Sequence, residues 1–524
     1  MQGYFSLILH AHLPFVRHPE HERFLEEHWL YEAIVECYLP LLQMLQGWSK
    51  DGLHAPITLS FSPPLLAMLR DPLLQTRATR HLDGLVELAD KEIYRTAWDG
   101  PTRDLAWMYH RRFVSLRESW LECGRDLVGA FRRLLEEDRI EIITSAATHA
   151  VLPLLAGHPP SIRAQILLAR DYYRECFGRE PEGLWLPECA YSEALDPILQ
   201  EANFRWFVVD THGLLHARPR PRYGVFAPVY TPNGLAAFGR DFDSAKQVWS
   251  RQEGYPGHPE YRDFYRDIGY DLDLDYVKPY LPAPEHRGFT GIKYQAISSS
   301  PEHKRVYNRP AALRQVAEHA GHFLEARLQQ ARRLGGIMDQ PPLVVAPYDA
   351  ELFGHWWYEG PEFLDGFVRK SLAGPQGLTL TTPSRYLRAH PNQQVAQPGA
   401  SSWGQEGYYK VWLNEATQWM YPHLEVAQAR LTELARAHPK AQGTTARALK
   451  QAARELLLAQ SSDWPFLIHT NTSPGYARRR VTDHLVRFQH LYQQLTAGTV
   501  EVDWLKQVEA RDNLFANLDY RYWA

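Results

Sequence analysis

The feature that most narrows the fold is a recurring unit of a short, almost wholly apolar run followed by a longer stretch with helical spacing. The runs cover residues 4–10, 56–63, 140–145, 183–191, 204–212, 246–250 and 343–349. Between them, Ile34, Cys37, Tyr38, Leu41, Leu42 and Leu45 keep one helical face. So do Leu116, Trp120, Leu127, Phe131 and Leu134, and, after the start signal Asn308 and Pro310, Leu313, Val316, Ala320, Phe323 and Leu328. Strands that are apolar on both faces must be covered by helices, which predicts a parallel α/β sheet. Polar groups recur where the runs end: His10 and His12, Ser62, His149, Glu188, Asp210 and His212, Trp249, then Asp349. An open doubly wound sheet concentrates its site at one switch point, whereas a barrel collects residues from every strand end. This pattern predicts a barrel of seven strands over 1–389, with loop insertions at about 213–300 over its mouth. A polar segment, 390–402, reads as a linker. Beyond it the strand signal stops, and helical spacing at Leu424/Ala427/Leu431/Leu434, Leu449/Ala452/Ala453/Leu456 and Val481/Leu485/Phe488/Tyr492 predicts an α-helical C-terminal domain over 403–524.

Bulk properties remove several function classes. A net charge of −4 on 524 residues offers no electrostatic case for nucleic acid or an anionic membrane. No apolar run approaches the ~20 residues of a membrane helix, and the N-terminal Met1-Gln2-Gly3-Tyr4-Phe5 has no basic region of a signal peptide. The expectation is a cytoplasmic protein. Cys37, Cys123, Cys176 and Cys189 form no CxxC pair, which disfavours a disulfide framework or zinc knuckle. Phosphate-loop, dinucleotide and nucleophile-elbow motifs are missing. Sixteen Trp and 28 Tyr favour carbohydrate handling, since both rings combine a stacking face with a hydrogen-bonding edge.

Glu188 and Asp349 are the leading catalytic pair. Cleaving a glycosidic bond takes two carboxylates, at roughly 5–5.5 Å for double displacement or ~6.5–9.5 Å for direct inversion, and a barrel brings distant strand ends to one mouth. Glu351 competes for the acid role. His10 and His12 share one strand face and, with Asp210, His212 or His149, are open to two readings. They bind a metal, as in a metal-dependent deacetylase or mannosidase, or they contact sugar hydroxyls. The lack of a compact ligand motif favours the sugar. Trp403 sits in the glycine-bearing loop Ser401-Ser402-Trp403-Gly404-Gln405-Glu406-Gly407, exposed enough to face the mouth. A glucan-binding protein without catalysis is the non-enzymatic alternative.

Four ordered stretches, His10-Ala11-His12-Leu13-Pro14, Ala147-Thr148-His149-Ala150, Trp185-Leu186-Pro187-Glu188-Cys189-Ala190-Tyr191 and Pro347-Tyr348-Asp349-Ala350-Glu351-Leu352-Phe353-Gly354-His355-Trp356-Trp357, resemble the motifs of glycoside hydrolase family 57. Their form resembles the branch of the family that makes branches in 1,4-α-glucans. The likeness extends to Val411-Trp412-Leu413-Asn414-Glu415 and Ser462-Asp463-Trp464-Pro465-Phe466. It implies an incomplete (β/α)7 barrel with a helical domain, a retaining mechanism, and neither metal nor other cofactor. Glu188 is then the nucleophile and Asp349 the general acid/base. His10, His12 and His149 line the donor subsite, and Trp403 and Trp412 are carried to the cleft. Trp249, Asp210, His212, Trp357 and Asp463 complete the expected substrate contacts. The implied activity is transfer of an α-1,4-glucan segment to a 6-hydroxyl on amylose, amylopectin or glycogen, by a monomer. 4-α-Glucanotransferase and α-amylase of the same family are the alternatives. The chain departs from the family pattern in the short stretch between Tyr191 and Phe204, and at Gln295-Ala296.

Overall fold

The structure is a computed structural model that describes residues 3–250, 253–283, 285–299, 304–374 and 377–524. Its strands are β1 (Gly3–Ala11), β2 (Ile57–Phe61), β3 (Ile140–Ser145), β4 (Gly183–Trp185), β5 (Trp206–Val209), β6 (Val229–Tyr230), β7 (Ala236–Gly239), β8 (Leu343–Asp349), β9 (Leu378–Leu380) and β10 (Gln394–Val395). Seven of them run parallel in the order β7-β5-β4-β3-β2-β1-β8. The sheet curls without closing. No ladder joins β7 to β8 among the described residues, and Asp241 N–H donates one hydrogen bond to Val345 C=O across the gap (2.9 Å). This is an incomplete (β/α)7 barrel. Central residues such as Ile8, Leu9, Ile143, Leu184 and Val208 are fully buried, as strands apolar on both faces require. The register places His10 level with both Ser60 of β2 and Asp349 of β8, so three polar strand ends share one height at the mouth.

One strand expectation is corrected. Residues 246–250 do not form a strand; Phe242–Trp249 is a helix whose cap, Asp241, accepts from Ser244 N–H. The sixth barrel strand is β7, Ala236-Ala237-Phe238-Gly239, whose small residues carry too little hydrophobic signal to be singled out. Helix Arg309–Gly335 starts where expected, with Asn308 Oδ1 accepting from Ala311 N–H. Helix 28–50 holds a π-helical turn at Ile34–Tyr38, a distortion frequent at functional sites.

The C-terminal region is built from helices Met420–Ala437, Gly443–Ala459, Asp463–His469, Pro474–Ala497 and Val502–Arg511. Gly443–Ala459 is buried on nearly every face from Ala448 onward, which makes it the central helix of the group. Segment 390–402 is strapped to the barrel edge along its length. β10 pairs with β6, Gln397 with Arg218, Gly399 N–H donates to Gly213 C=O, and Ser401 bridges Tyr191. The strap ends at Trp403, directly over the loop that follows β4.

Candidate active site

The loop after β4 is held in an unusual backbone shape. Glu188 (φ 62°) and Cys189 (φ 49°) both lie in the left-handed region, which costs a side-chain-bearing residue about 1–3 kcal/mol. Surrounding bonds enforce it: Cys189 N–H donates to Leu186 C=O, Ala190 N–H to Pro187 C=O, and Trp403 N–H to Glu188 C=O (3.0 Å). The Glu188 carboxylate is thereby turned toward two donors from the C-terminal region. Trp403 Nε1–H donates to Oε2 (2.8 Å) and Ser462 Oγ–H to Oε1 (3.1 Å), while His149 Nδ1 lies 3.8 Å from Oε1. Burial raises the Glu188 pKa, opposed by the Trp403 hydrogen bond, the His12 charge and Ser462.

Asp349 closes the same mouth from the end of β8 in a different setting. Burial is the largest cause of a pKa held well above the ordinary carboxylate range. The charges of Glu351 and Glu188 add to it, and Arg240 opposes them. Glu351 itself is tied down, accepting from His12 N–H (3.1 Å) and from the Tyr38 hydroxyl (2.5 Å), and burial raises its pKa as well. The π-turn aims Tyr38 at it, and Cys37 Sγ–H of the same turn donates to Ala350 C=O.

The histidines form a parallel stack. His12 lies on His149 at 3.7 Å between ring centroids, and His10 lies on Trp185 at 4.6 Å. Every ring nitrogen of the three has a protein partner. His10 uses Ser60 and His149, His12 uses Ser62 and Asp463, and His149 uses Ser462 and His10. Burial lowers the pKa of His10 and His149 and keeps their rings neutral. Burial works against the charged form of His12 too, but Asp463, with Glu188 and Glu351, outweighs it and raises the pKa. A set of nitrogens already committed to hydroxyls and carboxylates does not present converging lone pairs to a metal. Among the described residues, the acid–histidine group close enough for that is Glu455, His484 and Asp512, where Arg487 already neutralises Asp512 (3.0 Å).

The aromatic candidates separate into those at the mouth and those beneath it. Trp403 is partly open, set edge-on to Trp185, with the Arg240 guanidinium 5.6 Å from its ring centroid. Trp249 is exposed and stacks on it at 6.4 Å, although from a helix end and not a strand end. Trp412 is fully buried and packs under Gly404, where a Cβ would lie 2.7 Å from its ring, so it supports the Trp403 loop and does not line the cleft. Trp357 is also buried, against Phe363 and Tyr261, and is corrected from a substrate contact to a core residue. His10 is 2% exposed, with its ring nitrogens on Ser60 and His149. His212 bonds Asp210 (3.1 Å) and Gly407 C=O (2.7 Å), so this pair steadies the loop carrying Trp403. Gln295 and Ala296 lie in short bridges to Val306 and Arg262.

Sequence reasoning missed Arg240, because its strand was missed, and Tyr38, because its spacing is that of a core helix residue. Ser60 and Trp185 were readable only as strand residues. Register sets Ser60 beside His10, and packing stacks Trp185 on it.

The residues 6–330 match the family described as glycosyl hydrolase family 57, and residues 423–523 match the C-terminal region of 1,4-alpha-glucan branching enzymes. The chain is 31% identical over 550 residues to a 1,4-alpha-glucan branching enzyme of Thermococcus kodakarensis, covering 98% of this chain and 78% of that protein. Among solved structures it resembles the alpha-amylase AmyC of Thermotoga maritima, with a TM-score of 0.94 and 40% identity over 100% of this chain and 99% of that one. It also resembles the branching enzyme of Pyrococcus horikoshii, with a TM-score of 0.89 and 30% identity over 100% and 97%. On the family match over most of the barrel and the likeness to the Thermococcus enzyme over 98% of the chain, the chain belongs to glycosyl hydrolase family 57.

Proposed function

We propose that this protein is a retaining 1,4-α-glucan branching enzyme with Glu188 as nucleophile and Asp349 as general acid/base. The observation that carries the reading is the unequal treatment of two carboxylates at one mouth. Glu188 accepts hydrogen bonds that stabilise its charged form, whereas Asp349 is half-buried beside two other acids that favour its protonated form. Glu188 attacks the anomeric carbon of an α-1,4 linkage while Asp349 gives its proton to the departing oxygen. Asp349, now a base, takes the proton of an incoming 6-hydroxyl, whose oxygen displaces Glu188 and forms an α-1,6 branch. His12, held by Ser62 and Asp463, offers its ring beside Glu188 for the donor sugar, and His149, 2% exposed and held by Ser462, backs it. The names of the relatives at 31% and 30% identity support the branching outcome. The proposal extends to barrel, linker and helical units near 1–389, 390–402 and 403–524. It extends also to action on amylose, amylopectin and glycogen by a cytoplasmic monomer that needs no metal. Among the described residues no helix is long and apolar enough to cross a membrane.

Hydrolysis is the second reading, favoured by the 40% identity to a structure described as an alpha-amylase. The two differ only in which hydroxyl reaches the glycosyl-enzyme. Incubation with amylose, with new α-1,6 linkages counted by proton NMR beside released reducing ends, decides between them. Branch signals in excess of reducing ends are expected, and reducing ends alone reject branching. Unchanged rates in chelator are expected, and their loss would restore the metal reading.

A further inference from the structure

Within the loop that carries Asp349, the three residues His355, Trp356 and Trp357 have separate fates. Trp357 is core, and His355 Nδ1 meets Glu36 Oε2 at 2.5 Å. Trp356 points outward and leaves 56% of its surface exposed, yet it is not loose. Its indole stacks on Phe264 at 4.6 Å and 25°, and the Trp356 backbone N–H donates to Glu351 C=O. Phe264 is fixed in turn. The buried Lys293 ammonium lies 4.2 Å from the ring centroids of both Phe264 and Phe289 and donates to Phe264 C=O (2.5 Å). Asp263 Oδ1 accepts from Tyr265 N–H and Arg266 N–H, which locks the turn. Tyr265 and Tyr270 expose further rings on the same base, edge-on to Phe264 and Phe289.

We propose that Trp356, backed by Phe264 and flanked by Tyr265, is a stacking platform for the acceptor α-glucan chain. Three observations carry the assignment. A large ring held rigid in solvent loses little freedom when a flat apolar face of a sugar covers it. The exposed Tyr265 and Tyr270 rings carry their own hydroxyls, and the neighbouring Arg266 and Asp271 form an ion pair, which suits a polyhydroxylated chain better than an apolar protein face. The platform belongs to the Asp349 loop and not to the Glu188 loop. The acid/base acts on the oxygen between donor and acceptor, and Trp356 rides on the loop that follows it, anchored to Glu351, so its ring is set for the chain that leaves and the chain that arrives. Trp403 and the histidines stand beside Glu188 on the donor side.

This inference rests on the branching reading, and its test has two arms. In the first, Trp356→Ala is incubated with amylose, with Trp98→Ala, an exposed indole outside the site, as control. The ratio of new α-1,6 linkages to reducing ends is expected to fall about fivefold to tenfold, because water gains on a poorly held acceptor, while Trp98→Ala keeps the parent ratio. Trp356→Phe, which keeps a ring, is expected to restore most of it. In the second, maltoheptaose binding to Glu188→Gln is compared with Glu188→Gln/Trp356→Ala by calorimetry, and a rise in Kd of about tenfold is expected. A parent that makes no α-1,6 linkages overturns the branching reading, and the binding arm still judges the platform. Binding within twofold of the Glu188→Gln protein overturns the platform, as does an unchanged ratio in a parent that does branch.

Discussion

The loops after β4 and β8 each deliver one carboxylate to the same mouth; burial raises the pKa of both, but hydrogen-bond donors oppose the rise at Glu188 and neighbouring acids add to it at Asp349. The β4 loop holds a left-handed turn at Glu188 and Cys189 and receives donors from Trp403, at the end of the strap, and from Ser462, at the start of helix Asp463–His469. The β8 loop delivers Asp349 on ordinary extended backbone (φ −65°) and surrounds it with acids. Among the described residues no hydrogen bond contributes to the state of its carboxyl. Two side chains of one chemical class thus acquire two roles through their neighbours alone. Donors to Glu188 offset part of the upward push of burial and favour the anion that attacks, and acids beside Asp349 reinforce that push and favour the proton it donates.

The largest expected effect breaks the first half of this contrast. Glu188→Gln is expected to lower kcat by about 10⁴-fold or more with the fold intact, because no other group forms the glycosyl-enzyme. Residual activity within tenfold of the parent would assign the nucleophile elsewhere. Asp349→Asn is expected to cost about 10²–10⁴-fold on amylose and much less on an aryl glycoside whose leaving group needs no proton. Equal losses on both substrates would contradict the acid role.

Smaller changes sharpen the contrast. Trp403→Phe keeps the ring and removes the N–H to Glu188, and a hydrogen bond to a charged group is worth about 1.5–3 kcal/mol. A fall in kcat of about 10–100-fold with little change in KM is expected, whereas a pure KM effect would make Trp403 only a stacking residue. Ser462→Ala removes a weaker contact and is expected to cost kcat about fivefold, for a bond of about 1 kcal/mol. An unchanged kcat would leave Trp403 as the one donor that matters. Glu351→Gln tests the β8 side through pH. The Glu351 charge raises the pKa of Asp349, so its neutralisation lets Asp349 lose its proton at lower pH. The alkaline limb of the kcat/KM profile is therefore expected to move toward acid, with amide oxygen still able to accept from Tyr38 and His12. A limb that stays in place, or moves toward alkali, contradicts this electrostatic role.

Much of the architecture was legible in the chain. Runs apolar on both faces require a covered parallel sheet, and β1, β2, β3, β4, β5 and β8 stand where those runs fall. The failure at 246–250 has a physical cause: Val248 and Trp249 give a short helix a strand-like local composition, while Ala236-Ala237-Phe238-Gly239 earns its place in the sheet by fitting beside β5. The aromatic candidates show the same limit. Trp356, Trp357, Trp403 and Trp412 are identical in composition, and only packing exposes the first and partly opens the third while burying the other two.

By itself, the sequence determined the carboxylates at two strand ends, the family motifs around them and the class of fold, because each is a local pattern. Tertiary structure alone decided that donors from Trp403 and Ser462 reach Glu188 across separations of 215 and 274 residues. It also decided that Tyr38 reaches Glu351 across 313 residues. Hydrogen bonding and burial act through space, and a carboxylate takes its charge state from whatever the fold brings within a few ångströms of it.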